Sequence, residues 1–232
     1  AGGTPALPGC AQADDEVERY LANAAHLEQH HAYSPDQEHD ACGVGLIAAV
    51  DGKPRREVVL HAIAALKCVW HRGAVDADGK TGDGAGLHIQ VPQDFFADEV
   101  KATGHQLEGG RIGIGMIFLP RTDYVAQETC RTIVEAEILR FGYYIYGWRQ
   151  VPVDITVIGE KANQTRPEIE QIMFDTPVGK DVEEIERDLF IIRRRIETQV
   201  RKASIPNFYV CSLSTRSLIY KGMFLAEQLA TF

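Results

Sequence analysis

The chain has 232 residues, of which 45% are hydrophobic and 25% are charged, and its formal net charge is -9. This composition is typical of a globular protein, and no apolar run approaches the roughly 18 residues of a membrane-spanning helix. The acidic balance argues against a nucleic-acid partner, because phosphate contacts need clustered Lys and Arg. The five cysteines stand singly, without the spacing of a metal site, which favours a reducing, cytoplasmic compartment.

Most of the net charge lies in residues 1–41. This segment holds eight acidic side chains and the single basic residue Arg19, which sums to -7. Apart from a short helix predicted near Asp14–Gln29, it offers few large apolar groups, so we expect an acidic leader. Half of the histidines lie here, and a solvated polar segment explains them more simply than a metal site. They are His26, His30, His31 and His39.

The composition of the sequence changes at residue 42. Residues 42–50 are small and apolar, which predicts a buried strand. The stretch 51–54 has turn chemistry, and apolar residues at helical spacing from Val58 to Val69 then predict a helix that ends before Gly73. A glycine-rich loop follows, and Leu87–Val91 predicts a second strand that Pro92 closes.

The remainder of the chain predicts a mixed α and β domain. The strongest helix prediction is Asp181–Ala203, where apolar residues recur three or four apart and the polar face is interpreted as solvated surface. Phe208–Leu213 and Ser217–Tyr220 predict a hairpin around residues 214–216. The other predictions are strands at Arg111–Leu119, Tyr143–Val151 and Ile155–Ile158, a helix at Thr122–Arg140, and the start of a helix at 222–230.

Cys42 is the candidate nucleophile. A thiol attacks as thiolate, and its ordinary pKa of about 8.5 leaves it mostly protonated at neutral pH. If the Ala41–Cys42 bond is cut, the new α-amino group can accept the thiol proton, and Gly43 leaves the backbone open to a substrate. The alternative is that Cys42 is a small buried hydrophobe. We adopt that alternative for Cys68, Cys130 and Cys211.

The loop at 71–86 resembles a phosphate-binding loop but does not match one. Five residues, not four, separate Gly73 from the sequence Gly79-Lys80-Thr81, and a helix precedes the loop where a strand is required. Three aspartates would also repel phosphate. A loop this rich in glycine can lie close to a small substrate, with Arg72 as a bidentate partner for a substrate carboxylate. An equal alternative is that Arg72 caps the preceding helix or holds the loop.

Blocks of sequence in a fixed order make residues 36–232 resemble one family. The chain is similar to the class II glutamine amidotransferase domain of the glutamate synthase large subunit. The matching blocks are Cys42-Gly43-Val44-Gly45, His71 to Gly86, Gln90-Val91-Pro92, Asp94-Phe95-Phe96, Ile185 to Leu189, Phe208 to Ser214 and Tyr220 to Met223.

The resemblance implies an α+β fold, the four-layer αββα sandwich of N-terminal-nucleophile hydrolases, with residues 1–41 as a leader that is removed and residues 42–232 as the N-terminal part of the domain. It implies that the Cys42 thiolate hydrolyses L-glutamine to glutamate and ammonia, and that the ammonia is channelled to 2-oxoglutarate for reductive glutamate synthesis. The candidates for substrate binding, Gly43 and Arg72, rest on their own chemistry, because in the family an arginine that binds the substrate carboxylate comes later than this segment.

The resemblance also implies what lies outside this segment. FMN and an iron–sulfur cluster belong to the full-length enzyme, and we expect no cofactor or metal site within these residues. The implied partners are the remaining domains of the same subunit, a small electron-donating flavoprotein subunit and further copies in an oligomer.

One departure from the family affects the catalyst. The family's oxyanion-hole Asn-Gly pair is absent, since Asn23, Asn163 and Asn207 are followed by other residues. Loss of one oxyanion donor costs roughly 10²–10³ in rate, so we expect the segment alone to be inactive and the domain to be incomplete at its C-terminus. Two alternatives stay open: a non-catalytic, truncated or unprocessed module, or an amidotransferase with another ammonia acceptor.

Overall fold

A computed structural model describes residues 10–30, 43–69, 73–107 and 110–232. The chain divides into two compact units, residues 1–42 and residues 43–232. In the first unit, helix α1 spans Cys10–His30, so the helix predicted there is confirmed and is longer than expected. The His30 Nδ1 lies 3.0 Å from the His26 carbonyl oxygen one turn earlier, and the two imidazole rings stack.

The second unit alternates helices and strands. The described helices are α2 (Arg56–Cys68), α3 (Gln93–Ala102), α4 (Tyr124–Arg140), α5 (Glu160–Thr165) and α6 (Val182–Lys202). The described strands are β1 (Ala85–Gln90), β2 (Ile112–Leu119), β3 (Tyr144–Gln150), β4 (Glu168–Asp175), β5 (Tyr209–Ser214) and β6 (Ser217–Gly222). No helix among the described residues is long and apolar enough to cross a membrane.

Four strands form an antiparallel sheet in the order β3-β4-β2-β5. The two central strands are almost entirely buried, because helices cover one face and a second sheet covers the other. Strand β4 has no counterpart among the sequence predictions. Its middle carries two polar residues, and the fold accommodates them with partners: Glu170 binds Arg131 at 2.5 Å, and Gln171 accepts from Arg149 at 3.0 Å.

Helices α4 and α6 pack on one face of this sheet. Helix α6 buries five apolar residues at helical spacing, as its sequence predicts: Ile185, Leu189, Ile192, Ile196 and Val200. Together with Val134 and Ile138 of α4 and Ile172 and Phe174 of β4, they form the larger apolar core.

A two-stranded antiparallel sheet of β1 and β6, together with α3, covers the opposite face. Phe96 and Val100 of α3, Ile114 of β2 and Leu218 of β6 are all fully buried in this second core. Helix α2 lies against β1 and turns its apolar stripe inward, but that stripe stays only half-buried.

The predicted hairpin at residues 208–220 is wrong, although both strands exist. Strand β5 pairs with β2 in the larger sheet, and β6 pairs with β1 in the smaller one, so the chain turns from one sheet into the other. The reason lies on α6. Glu186 accepts hydrogen bonds from Ser214 Oγ at 2.8 Å, Thr215 N at 2.8 Å and Thr215 Oγ1 at 2.7 Å, which fixes this corner.

Two shorter predictions are also wrong. Residues 155–158 form a 3₁₀ turn at Ile155–Val157, because Asp154 accepts a hydrogen bond from the Thr156 amide at 3.0 Å and starts a helical turn. The helix expected at 222–230 is reduced to a 3₁₀ turn at Gln228–Ala230. There the Gln228 side chain accepts a hydrogen bond from the Leu225 amide and donates one to the Lys80 carbonyl, which holds this single turn in place.

Candidate active site

The two residues that the sequence analysis places at the centre of the chemistry, Cys42 and Arg72, lie outside the described residues. Gly43 is described and is exposed, with no regular secondary structure. A Cβ on the neighbouring Gly45 would meet no atom within 4 Å. The backbone that follows the candidate nucleophile is therefore open to solvent, as close approach by a substrate requires.

The buried strand predicted from residue 42 is wrong for the part that the structure describes. Residues 43–49 belong to neither sheet, and Val44 and Leu46 are 94% and 89% exposed. The six described strands pair among themselves, and residues 43–49 form a ladder with none of them, so this apolar segment stays exposed. The predicted turn does form after this segment, where the Gly52 amide donates to the Ala49 carbonyl at 3.0 Å with Gly52 at φ +67°.

The glycine-rich loop is held by its own aspartates. Asp78 accepts hydrogen bonds from Thr81 Oγ1 at 2.5 Å, from the Thr81 amide at 2.7 Å and from the Lys80 amide at 2.9 Å. These hydrogen bonds, led by the Thr81 hydroxyl, hold the pKa of the Asp78 carboxyl well below its usual value. Thr81 is only 2% exposed, so the loop turns inward at this residue.

The same loop is tied to α5. Lys161 Nζ lies 2.5 Å from an Asp76 carboxylate oxygen, and this contact lowers the pKa of Asp76 and raises that of Lys161. The loop also closes on itself through a bridge between Val75 and Gly82. A side chain at Gly159 would overlap Thr81 Oγ1, so glycine permits the close approach of loop and helix.

Gln228 joins three parts of the chain and was missed by sequence reasoning. Its side-chain amide donates to the Lys80 carbonyl at 2.8 Å and the Val157 carbonyl at 2.7 Å, and its oxygen accepts from the Leu225 amide at 2.7 Å. A third apolar cluster lies at this junction, formed by Ile158, Ala162 and Phe224 with their neighbours. No motif marks a lone glutamine for such a role, because its partners are backbone carbonyls distant in sequence.

These contacts bear on what the loop can bind. Asp76 and Asp78 are ionised and hydrogen-bonded within the loop and its neighbours, so the loop presents carboxylates where a phosphate site would present amides and a lysine. This supports the rejection of a phosphate-binding loop. Among the described residues no group of three or more His, Cys, Asp or Glu side chains could hold a metal ion.

The described cysteines differ in their environment. Burial raises the pKa of the Cys130 and Cys211 thiols to about 11, which makes them poor nucleophiles. Both are buried in apolar clusters, as expected for structural cysteines. The same expectation is wrong for Cys68, which lies exposed at the end of α2 because the apolar stripe of that helix faces the other way.

Comparison with known proteins gives the family. Residues 42–232 match the family described as class-II glutamine amidotransferases. The chain belongs to this family. The match begins at the candidate nucleophile and covers the second unit of the structure.

Individual relatives are glutamate synthases. Over 221 residues the chain is 63% identical to the glutamate synthase [NADPH] large chain of Azospirillum brasilense, covering 95% of this chain and 15% of the relative. It is 39% identical over 197 residues to ferredoxin-dependent glutamate synthase 1 of Arabidopsis thaliana, covering 84% and 12%. It is 40% identical over 188 residues to ferredoxin-dependent glutamate synthase 2 of Synechocystis sp., covering 81% and 12%. The chain thus spans less than a sixth of the length of these relatives.

Proposed function

We propose that residues 42–232 form the N-terminal part of the glutaminase domain of a glutamate synthase, with Cys42 as the nucleophile. The observation that carries the proposal is the family match, which begins at Cys42 and runs to residue 232. The similarity to glutamate synthases, at 63% identity for the NADPH large chain of Azospirillum brasilense, supports a glutamate synthase as the whole enzyme.

In the proposed reaction, the Cys42 thiolate attacks the side-chain carbonyl carbon of L-glutamine. The carbon–nitrogen bond breaks, and the nitrogen leaves as ammonia after taking a proton. Water then adds to the γ-glutamyl thioester, which releases glutamate and restores the thiol. The free α-amino group of Cys42 accepts the thiol proton in the first step and returns it to the leaving nitrogen.

Arg72 is proposed to bind the substrate α-carboxylate through two parallel hydrogen bonds, and Gly43 to leave room for the substrate. Two observations support this assignment. Hydrogen bonds of Asp78 and the ion pair of Lys161 fix the conformation of the loop that follows Arg72. Gly43 itself is exposed and outside any ladder.

Residues 1–41 are proposed to be a leader whose removal frees the Cys42 amine. Support comes from the division of the structure into units at residues 42 and 43 and from the start of the family match at residue 42. The finer architecture, a four-layer αββα sandwich, is also a proposal. Its support is the order in which the elements pack. Helices α4 and α6 pack on the larger sheet, the smaller sheet covers the other face of the larger sheet, and α2 lies against the smaller sheet.

The proposal for the whole enzyme extends beyond this segment. Ammonia passes to 2-oxoglutarate, and the remaining domains of the large chain, together with a small flavoprotein subunit, supply FMN, an iron–sulfur cluster and electrons. The described cysteines do not fit a cluster, since Cys130 and Cys211 are separately buried among apolar side chains. A cytoplasmic location is supported by Cys68, Cys130 and Cys211, which are free thiols and not parts of disulfides.

The electron donor is proposed to be NADPH. The relative whose name specifies NADPH is 63% identical to this chain, whereas the two ferredoxin-dependent relatives described above are 39% and 40% identical.

The decisive experiment compares the full-length enzyme with a Cys42→Ala variant. We expect the variant to lose glutamine hydrolysis and glutamine-dependent glutamate synthesis, yet to keep synthesis from free ammonia and 2-oxoglutarate, because the amination site does not use the thiol. Intact mass should show that the active enzyme begins at Cys42. The matched control is Cys68→Ser, which removes an exposed thiol and should leave both activities unchanged.

Other outcomes would favour the alternatives. An enzyme that hydrolyses glutamine but forms no glutamate from 2-oxoglutarate would be an amidotransferase with a different acceptor. A protein without glutaminase activity would be a non-catalytic module. An active enzyme that still carries Ala41 would overturn the role of the α-amine.

A further inference from the structure

Helix α6 carries an apolar pair on the face that turns away from the core. Phe190 is 63% exposed and Ile191 is 41% exposed, although five other apolar residues of the helix are buried. The pair lies near the middle of the helix, which spans Val182–Lys202. The two side chains are adjacent and together form a small apolar patch, which a contact with another surface would remove from water.

Charge on the same helix changes sign from one end to the other. The first turn carries Glu183 and Glu184, and the last turn carries Arg201 and Lys202, all of them exposed. A second copy of α6 laid parallel would place like charges together at both ends. A copy laid antiparallel would place the acidic turn of each helix against the basic turn of the other and would align the helix dipoles favourably.

We propose that α6 forms an antiparallel, two-fold contact between two copies of this chain. Full overlap of the two helices places residue 183 opposite residue 201, and residue 187 opposite residue 197. Glu183 then faces Arg201 of the partner subunit, and Arg187 faces Glu197 of the partner subunit. A two-fold axis repeats each pair, so one surface complements itself.

The same register accounts for the apolar pair. Residue 190 lies opposite residue 194, so the guanidinium of Arg194 of the partner subunit can stack on the Phe190 ring. Ile191 lies next to the axis and meets its own copy. The centre of the contact is therefore apolar and aromatic, and the charges lie at its rim, as in protein–protein interfaces generally.

The contacts within one chain do not prevent this pairing. Glu183 binds Arg216 at 2.5 Å with its side chain 65% exposed, and Glu197, whose side chain is 20% exposed, binds Arg193 at 2.9 Å and Arg194 at 2.5 Å. The exposed pair of Glu183 contributes roughly 0–1 kcal/mol and can exchange partners, whereas Glu197 can keep its own arginines and accept a further hydrogen bond from Arg187 of the partner subunit. One helix pair about 30 Å long is a small interface, so the association should depend on protein concentration.

The first test uses cross-linking of the full-length protein in a Cys68→Ser background. An Ile191→Cys variant, treated with a short bismaleimide, should give a covalent dimer on denaturing gels, because the two residues 191 lie beside the axis. The matched control is Leu60→Cys, a substitution at an apolar residue of α2 that is 49% exposed. Equal cross-linking at both positions would overturn the proposal. An absence of cross-linking at residue 191, which is the result expected if another domain covers this face, would also overturn it.

The second test reverses charges in the Ile191→Cys protein. Glu183→Lys should lower the yield of cross-linked dimer at least several-fold, because the new lysine faces Arg201 of the partner subunit. Adding Arg201→Glu should restore the yield, since the pair is then present with its signs exchanged. A yield that is unaffected by the first change, or not restored by the second, would contradict the antiparallel register.

Discussion

The described cysteines show how strongly one residue depends on its surroundings. Cys130 lies on α4 and Cys211 on β5, both buried, whereas Cys68 lies exposed at the end of α2. Burial raises the pKa of the two buried thiols to about 11, so at pH 8 only about one molecule in a thousand carries the thiolate at either position. Their position in the fold, not their residue type, makes them inert.

We therefore expect iodoacetamide at pH 8 to alkylate Cys68 in the folded protein and to spare Cys130 and Cys211. Unfolding in denaturant should expose the two buried thiols to the reagent. Peptide mass spectrometry before and after denaturation measures the pattern, and a Cys68→Ser variant is the control. Rapid alkylation of Cys130 or Cys211 in the folded state would contradict the burial described here.

At the scale of an element, the loop from Gly73 to Gly84 owes its shape to carboxylates. Asp78 binds Thr81 and the Lys80 amide, and Asp76 binds Lys161. Both carboxyls have pKa values lowered by these hydrogen bonds. Because the folded pKa lies below the unfolded value of about 3.9, their stabilisation is complete above that pH and is lost as the pH falls below it.

An Asp78→Asn variant tests this dependence. In the parent protein, the hydrogen-exchange protection of the Lys80 and Thr81 amides should be constant from pH 7 to about 5 and should fall below about pH 4. The variant should show lower protection at pH 7 and a flatter pH profile, because its amide accepts fewer hydrogen bonds. Asp83→Asn is the matched control in the same loop and should leave the profile of the parent unchanged.

At the scale of the molecule, the fold depends on two sheets that share one core. Strand β6 brings Leu218, which is fully buried, against residues of the larger sheet such as Ile114 and Met116. The corner that directs β6 there is held by Glu186 of α6, so the helical layer on one face fixes the sheet on the other. Packing on both faces of the larger sheet is therefore coupled through one carboxylate.

We expect Leu218→Ala to destabilise this domain by about 2–5 kcal/mol, the usual cost of deleting a fully buried leucine side chain. The global-opening free energy of the β1 and β6 amides, measured by hydrogen exchange in the full-length protein, reports the loss. Leu60→Ala removes the same atoms from a half-exposed position on α2 and should cost less than about 1 kcal/mol. Equal losses at both positions would mean that the two sheets do not share a core.

Periodic and locally encoded features were predictable from the sequence. The helix at Val182–Lys202 follows directly from its apolar spacing, and the strand at Ile112–Leu119 from the alternation of apolar residues with glycines. Strand β4 was missed, because Glu170 and Gln171 are compatible with the centre of a sheet only when Arg131 and Arg149 supply partners. Those partners come from a helix and a strand elsewhere in the sequence.

For the candidate site, the sequence by itself determined the family and the proposed nucleophile, since the ordered blocks around Cys42 and residues 71–86 carry that information. Only the tertiary structure decided that residues 43–49 pair with none of the described strands, that β5 and β6 enter different sheets, and that Gln228 and Lys161 hold the glycine-rich loop. The physical reason is the range of the interactions. Apolar periodicity and turn chemistry act over a few residues, whereas strand pairing and hydrogen bonds to distant backbone groups depend on where the rest of the chain has folded.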